Sequence, residues 1–131
     1  MQTSKVILYA DDDQDDKLWV SEAWRALNYN ASLQFVENGR QALDYLTTSL
    51  YSLPSLIVLD LNMPELDGKQ TLQKIKSNPE YDSIPVVIVT TSASKMDRDI
   101  CSRLGASLFL TKPDTLTEWK NIVRQIEPLI A

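Results

Sequence analysis

The chain predicts an α/β fold of the doubly wound type. Five βα units in succession would build a five-stranded parallel sheet with helices on both faces. Three observations carry this prediction. Short β-branched or aromatic runs recur five times, amphipathic stretches of helical period separate them, and turn-forming residues mark some of the junctions. A right-handed crossover returns each strand to the direction of the one before, so such alternation yields parallel neighbours.

The first strand is Val6 to Ala10, an apolar run that stops at Asp11. Trp19, Ala23, Ala26 and Leu27 then share one face of a first helix. Leu33 to Val36 alternates more, which places the second strand near an edge. Asn38-Gly39 marks the turn before a second helix, whose apolar face is Ala42, Leu43 and Leu46. Leu56 to Leu59 is the third strand, and Leu72 and Ile75 face inward from the third helix. Val86 to Val89 is the fourth strand, and Met96, Ile100, Cys101 and Leu104 line the fourth helix. Gly105 follows it, where a helix often ends on a residue of positive φ. Leu108 to Leu110 is the fifth strand, and Leu116, Trp119, Val123, Ile126 and Ile130 line the fifth helix. All strands but the second read as nearly continuous apolar runs, the mark of burial on both faces. With no linker, repeat or low-complexity tract, residues 1–131 are expected to form a single domain.

Composition narrows the function. The chain carries 13 Lys and Arg against 18 Asp and Glu, a net charge of −5. An acidic domain is a poor partner for nucleic acid or a membrane surface. With no His, Ser-His and Cys-His nucleophile pairs and His-ligated metals are excluded. The single Cys101 allows no internal disulfide; like the Met and Trp residues, it is expected to serve packing. The first apolar run is too short for a signal sequence and no stretch is long enough for a membrane span, so a soluble, cytoplasmic protein is expected.

In an open parallel sheet, sites form beyond the carboxyl ends of the strands. There the chain places Asp11-Asp12-Asp13-Gln14-Asp15-Asp16, Asp60, Thr90-Thr91-Ser92 and Lys112-Pro113. If Asp11, Asp12, Asp60 and Lys112 converge, three carboxylates face one ammonium, an excess that one divalent cation cancels. Oxygen-only ligands with room for water select Mg²⁺ or Mn²⁺. A carboxylate beside such an ion can attack phosphorus, giving an aspartyl phosphate. Lys112 and Thr90 would then neutralise and bind the equatorial oxygens.

Each residue also has a plainer role. The Asp run can cap and charge the first helix, which suits Asp15 and Asp16. Asp11 fits that role less well, because an acid ending a buried strand is costly without a partner. Asp60 alone could form a turn, Thr90 could satisfy a strand, and Lys112 could be a surface cation. The conjunction at successive strand ends is what separates the two accounts.

With these residues in order, the sequence resembles the receiver domain of bacterial two-component response regulators. Ile7 to Asp13, Leu59 to Gly68, Pro85 to Ser92 and Phe109 to Pro113 carry the resemblance, with Asn38-Gly39 and Gly105-Ala106 in support. It implies a flavodoxin-like sheet of order 2-1-3-4-5. It implies that Asp60 is the phosphoacceptor, and that Asp12, Asp11, Asp60 and the backbone carbonyl of Asn62 ligate Mg²⁺ or Mn²⁺. Thr90 and Lys112 would bind phosphoryl oxygens, and the Lys112–Pro113 peptide would be cis. Thr90 and Phe109 would form the switch that reshapes the fourth helix, fifth strand and fifth helix. Asn62 and Ser92, each two positions after a site residue, would tune the phosphoryl lifetime.

The implied protein is a stand-alone phosphorelay component, its output exerted by binding because no output domain follows the fifth helix. Its donor would be a sensor histidine kinase or phosphotransfer protein, since this chain has no His. A downstream protein target and a homodimer are further expectations. The chemistry would be its own phosphotransfer and dephosphorylation, not that of an ordinary enzyme. Asp13, Thr91 and Asp114 depart from the usual pattern, with extra charge near the metal, extra bulk near Asp60 and altered packing. The long segment Ser77 to Ser83 resembles regulators paired with phytochrome-type kinases. The rival readings are a non-phosphorylated receiver-like interaction module, an Asp-nucleophile phosphatase and a flavodoxin. The phosphatase fits poorly because the nucleophile candidate follows the third strand, and the flavodoxin because five Asp in six residues replace a phosphate loop.

Overall fold

The computed structural model describes residues 5–49 and 52–130. Five strands, β1 (Val6–Ala10), β2 (Ser32–Val36), β3 (Leu56–Leu59), β4 (Val86–Thr90) and β5 (Leu108–Thr111), form one parallel sheet in the order β2-β1-β3-β4-β5. The connecting helices are α1 (Gln14–Ala26), α2 (Gly39–Thr48), α3 (Gly68–Lys76) and α4 (Lys95–Arg103), and α5 (Leu116–Ile126) follows β5. The sheet order is the one the resemblance implied.

Strands β1, β3 and β4 read as uninterrupted apolar runs because each supplies both faces of the sheet. Leu8, Ala10, Ile57, Leu59 and Ile88 point toward Ala42, Leu46, Leu72, Ile75 and Cys101 of α2, α3 and α4. Ile7, Tyr9, Val58, Val87 and Val89 point toward Val20, Ala23 and Trp24 of α1 and Trp119, Ile122, Val123 and Ile126 of α5. Burying each such large side chain contributes about 1.5–3 kcal/mol, so the two layers hold the sheet rim rigid. Asn38 caps α2 by accepting the Gln41 N–H at 2.8 Å, and Asp67 and Gln70 close a reciprocal capping box on α3. Gly105 ends α4 at φ 105°, as expected. The segment Ser77 to Ser83 folds back as a turn, with Tyr81 and Ile84 buried against the α3 side of the sheet.

Several expectations need correction. The inward face of α1 is Val20, Ala23 and Trp24 with Leu27 packed against the same core, so Ala23 and Leu27 face inward as predicted, whereas Trp19 and Ala26 are exposed. Packing against α5 and the Trp24 Nε1–H donated to Ala31 O at 2.7 Å choose that rotation. Met96, expected to line α4, is 71% exposed, because only Cys101 of that helix reaches full burial. Strand β5, read from its apolar run as buried on both faces, is only half-buried, because the expected sheet order leaves it at the edge with β4 as its single neighbour. Ile130 lies beyond α5, which gives way to a 3₁₀ turn over Glu127–Leu129 where Pro128 lacks the N–H a continuing helix needs. The Lys112–Pro113 peptide is trans, as is every described bond. Trans is the lower-energy isomer even before proline, and the Lys112 side chain reaches the rim from it. Among the described residues, no helix is long and apolar enough to cross a membrane.

Candidate functional site

Sheet register gathers the predicted residues at one rim. Ala10 pairs with Leu59, so Asp11 and Asp60 leave adjacent strands side by side. The Asp60 N–H donates to Ala10 O at 3.1 Å and the Asp11 N–H to Val36 O at 3.0 Å, so both acids start from fixed backbone. Thr90 pairs with Thr111, and the Lys112 N–H donates to Thr90 O at 2.7 Å, which swings Lys112 over the same edge.

The Lys112 ammonium is the hub. Its Nζ lies 3.0 Å from Asp60 Oδ2, 3.0 Å from Asp11 Oδ2 and 2.6 Å from Asp16 Oδ2, with its side chain only 6% exposed. Burial works to depress its pKa, but the bonds from Asp16, Asp11 and Asp60 overcome that and hold it above the ordinary lysine range. Asp11 is fully buried. Its carboxyl is pushed up to about 6, chiefly by burial and further by Asp60, against the Asp13 N–H and the Lys112 ammonium, which act to lower it.

Asp16 is the residue that sequence reasoning missed. Its place in the Asp run suggests helix capping, yet Asp13 does that work, accepting the N–H groups of Asp15 and Asp16. Asp16 sits in the first turn of α1 with its carboxylate turned to Lys112, 96 positions away. The local signal was present in outline. An Asp directly before the helix is the better cap, which leaves the acid three positions later free to reach elsewhere. Asp13 is therefore tied to the helix end, and Thr91 and Asp114 are exposed.

Carboxylate oxygens of Asp11, Asp12 and Asp60 all lie within 4.8 Å of one another. Asp11 Oδ2 is buried and meets no partner but the Lys112 ammonium at 3.0 Å, which it shares with Asp16 and Asp60. A buried carboxylate oxygen that shares one ammonium with two other acids fits a hard divalent cation. Asn62 is exposed, and its N–H reaches Asp60 Oδ1 at 3.3 Å.

Thr90 Oγ1 is likewise buried and unpartnered. A buried hydroxyl without a partner costs free energy, so this one suits a ligand oxygen entering beside Asp60. Phe109 is half-buried, and the Arg98 guanidinium of α4 stands 5.2 Å over its ring. The Ser92 hydroxyl is engaged by Asp97 at 2.7 Å. The structure thus brings Asp11, Asp12, Asp16, Asp60 and Lys112 together, with Thr90 buried at the adjoining strand end.

The chain has relatives among known proteins. The profile of the response regulator receiver domain matches residues 7–124. The response regulator Rcp1 of Synechocystis sp. is 34% identical over 127 residues, covering 94% of this chain and 86% of that protein. The probable methanogenesis regulatory protein FilR2 of Methanothrix harundinacea is 30% identical, covering 93% of this chain and 81% of its own. Among solved structures, the phosphorylated cyanobacterial phytochrome response regulator RcpA superposes with a TM-score of 0.88 at 32% identity, covering 98% of this chain and 94% of that one. The Mn²⁺-bound form of Rcp1 does so with 0.83 at 34% identity, over 94% and 91%. Strand order, the acidic rim and agreement over nearly the whole length converge on one conclusion: the chain belongs to the response regulator receiver domain family.

Proposed function

We propose that this protein is a response regulator that accepts a phosphoryl group on Asp60 from a phosphohistidine of a partner histidine kinase or phosphotransfer protein. The observation that carries this reading is the Lys112 ammonium 3.0 Å from Asp60 Oδ2. An Asp60 carboxylate oxygen forms the new bond to phosphorus. The phosphorus–nitrogen bond of the donor breaks, and its electron pair stays on the donor imidazole. A Mg²⁺ or Mn²⁺ ion held by Asp11, Asp12, Asp60 and the Asn62 carbonyl would neutralise negative charge on the transferring group. Lys112 exchanges its contact with Asp60 for a phosphoryl oxygen, and Thr90 supplies its unspent hydroxyl to another.

The same exchange suits a switch. As Thr90 turns to the phosphoryl group, Phe109 moves inward from under Arg98, and the α4–β5–α5 surface presents a different shape to a target protein. Two pre-existing states are biased by the contacts of one modified carboxylate. The likeness to RcpA, described as a phytochrome response regulator, favours a phytochrome-type kinase as the donor. Hydrolysis of the acyl phosphate resets the protein, so the only chemistry is its own.

Incubation with acetyl phosphate and Mg²⁺, read by intact mass, tests the proposal. Wild-type protein gains one phosphoryl group, and Asp60→Asn or addition of a chelator abolishes the gain. Uptake retained in Asp60→Asn would overturn the assignment of Asp60. No uptake by the wild type would leave a non-phosphorylated interaction module.

A further inference from the structure

Arg98 sits between two acids and pairs with neither. Asp97 is held by Lys69 of α3, and Asp99 by Lys95 one turn earlier on α4. Among the described residues, no carboxylate lies within ion-pair reach of the Arg98 guanidinium. It stands instead 5.2 Å over the Phe109 ring of β5. The helix gives no reason for the charge, since a cation near a helix N-terminus opposes the macrodipole.

The ring beneath it adjoins the site. Register sets Ile88 opposite Phe109 and Thr90 opposite Thr111 on the neighbouring strand. Side chains two positions apart on a strand share a face, so Thr90 and Phe109 are diagonal neighbours on the face that α4 covers. Thr90 is fully buried, whereas Phe109 is only half-buried. An inward turn of the ring would bury more apolar surface and is favoured by that alone. Two things oppose it: the Thr90 side chain beside it, and the loss of the guanidinium above.

We propose that Arg98 is a positioning residue whose cation–π contact holds Phe109 outward and thereby lowers the affinity of the Asp60 site for a phosphoryl group. The inference rests on Asp60 being the phosphoacceptor and on Thr90 turning to its phosphoryl group. That turn empties the space behind Thr90, and an inward Phe109 refills it. A contact made only in the outward state therefore works against the phosphorylated one. By linkage it weakens phosphoryl binding by up to the factor with which it favours the outward ring. Arg98 is exposed, and a cation–π contact at such a site is worth a bias of about two- to fivefold.

Beryllofluoride, which occupies an aspartate carboxylate as a phosphoryl group does, is titrated in the presence of Mg²⁺, and binding is read by calorimetry. Arg98→Met puts a good helix former at an exposed position, so the fold is kept, and it binds about two- to fivefold tighter than wild type. Arg98→Lys, which keeps a cation near the ring, stays closer to wild type. Replacing both phenylalanines of the chain, Phe35 and Phe109, by trifluorophenylalanine weakens the attraction of the ring for a cation. It tightens binding by the otherwise wild-type protein and leaves the affinity of the Arg98→Met protein unchanged, which separates the Arg98 contact from any effect at Phe35. A contact that only packs α4 on β5 would lower thermal stability in Arg98→Met without raising affinity. Unchanged or weaker binding by Arg98→Met, or a fluorination effect that persists without Arg98, would overturn the inference while leaving Asp60 as acceptor. No binding by the wild type, together with no phosphoryl uptake from acetyl phosphate, would overturn the underlying function instead.

Discussion

Asp11 concentrates the electrostatic conflict of the site. Its carboxyl is raised from 3.8 to about 6 in the folded chain. Between those values the folded state binds the extra proton, so stability falls as pH rises through the window. The stabilisation is fully present below 3.8 and lost above about 6. Asp11→Asn removes that penalty, and in chelator at about pH 7.5 it is expected to be more stable than wild type by about 1–3 kcal/mol. At about pH 4 the two should converge, which urea melts at both pH values check. A less stable Asp11→Asn protein at the higher pH would contradict this account. At the same scale, Asp11, Asp12, Asp60, Thr90 and Lys112 were legible because each ends or follows an apolar run. Asp16 was not, since its partner lies 96 positions away and nothing local announces a lysine arriving from the last strand.

At the level of elements, the connection from β3 to α3 is the most constrained. Gly68 opens α3, and its N–H donates to Leu61 O at 3.1 Å. A Cβ there would meet Asp60 O at 2.3 Å and Leu61 Cα at 2.8 Å, both backbone and unable to yield cheaply. Gly68→Ala is expected to destabilise the fold by about 1–3 kcal/mol and to slow phosphorylation from acetyl phosphate, because the displaced atoms carry Asp60. Gly105→Ala, strained at φ 105°, should cost about 1–2 kcal/mol without altering uptake. Equal effects on uptake would show that the first substitution acts through global stability alone. Strand positions, the turn at Asn38-Gly39 and the helix end at Gly105 were readable from local chemistry. The rotation of α1 and the exposure of Met96 were not, because helical period offers several adjacent faces and only the neighbouring elements choose among them. The half-burial of β5 was not readable from its apolar run, although the sheet order implied by the resemblance already puts that strand at an edge.

At the scale of the whole molecule, Lys112 meets three carboxylates from two other parts of the chain. Removing it leaves a buried cluster of like charge. Lys112→Met is expected to lose about 3–5 kcal/mol in chelator, and millimolar Mg²⁺ should restore more of that loss than it adds to wild type. Thermal melts with and without the ion check this; equal Mg²⁺ responses would mean that the ammonium and the cation do not share the same charges. The same arrangement bears on synthesis. Asp11 and Asp16 leave the ribosome well before their counter-charge, which lies 96 positions beyond Asp16. A growing polypeptide therefore carries its acidic rim unneutralised until β5 and Lys112 have emerged, and a nascent chain should be unable to assemble the site before then.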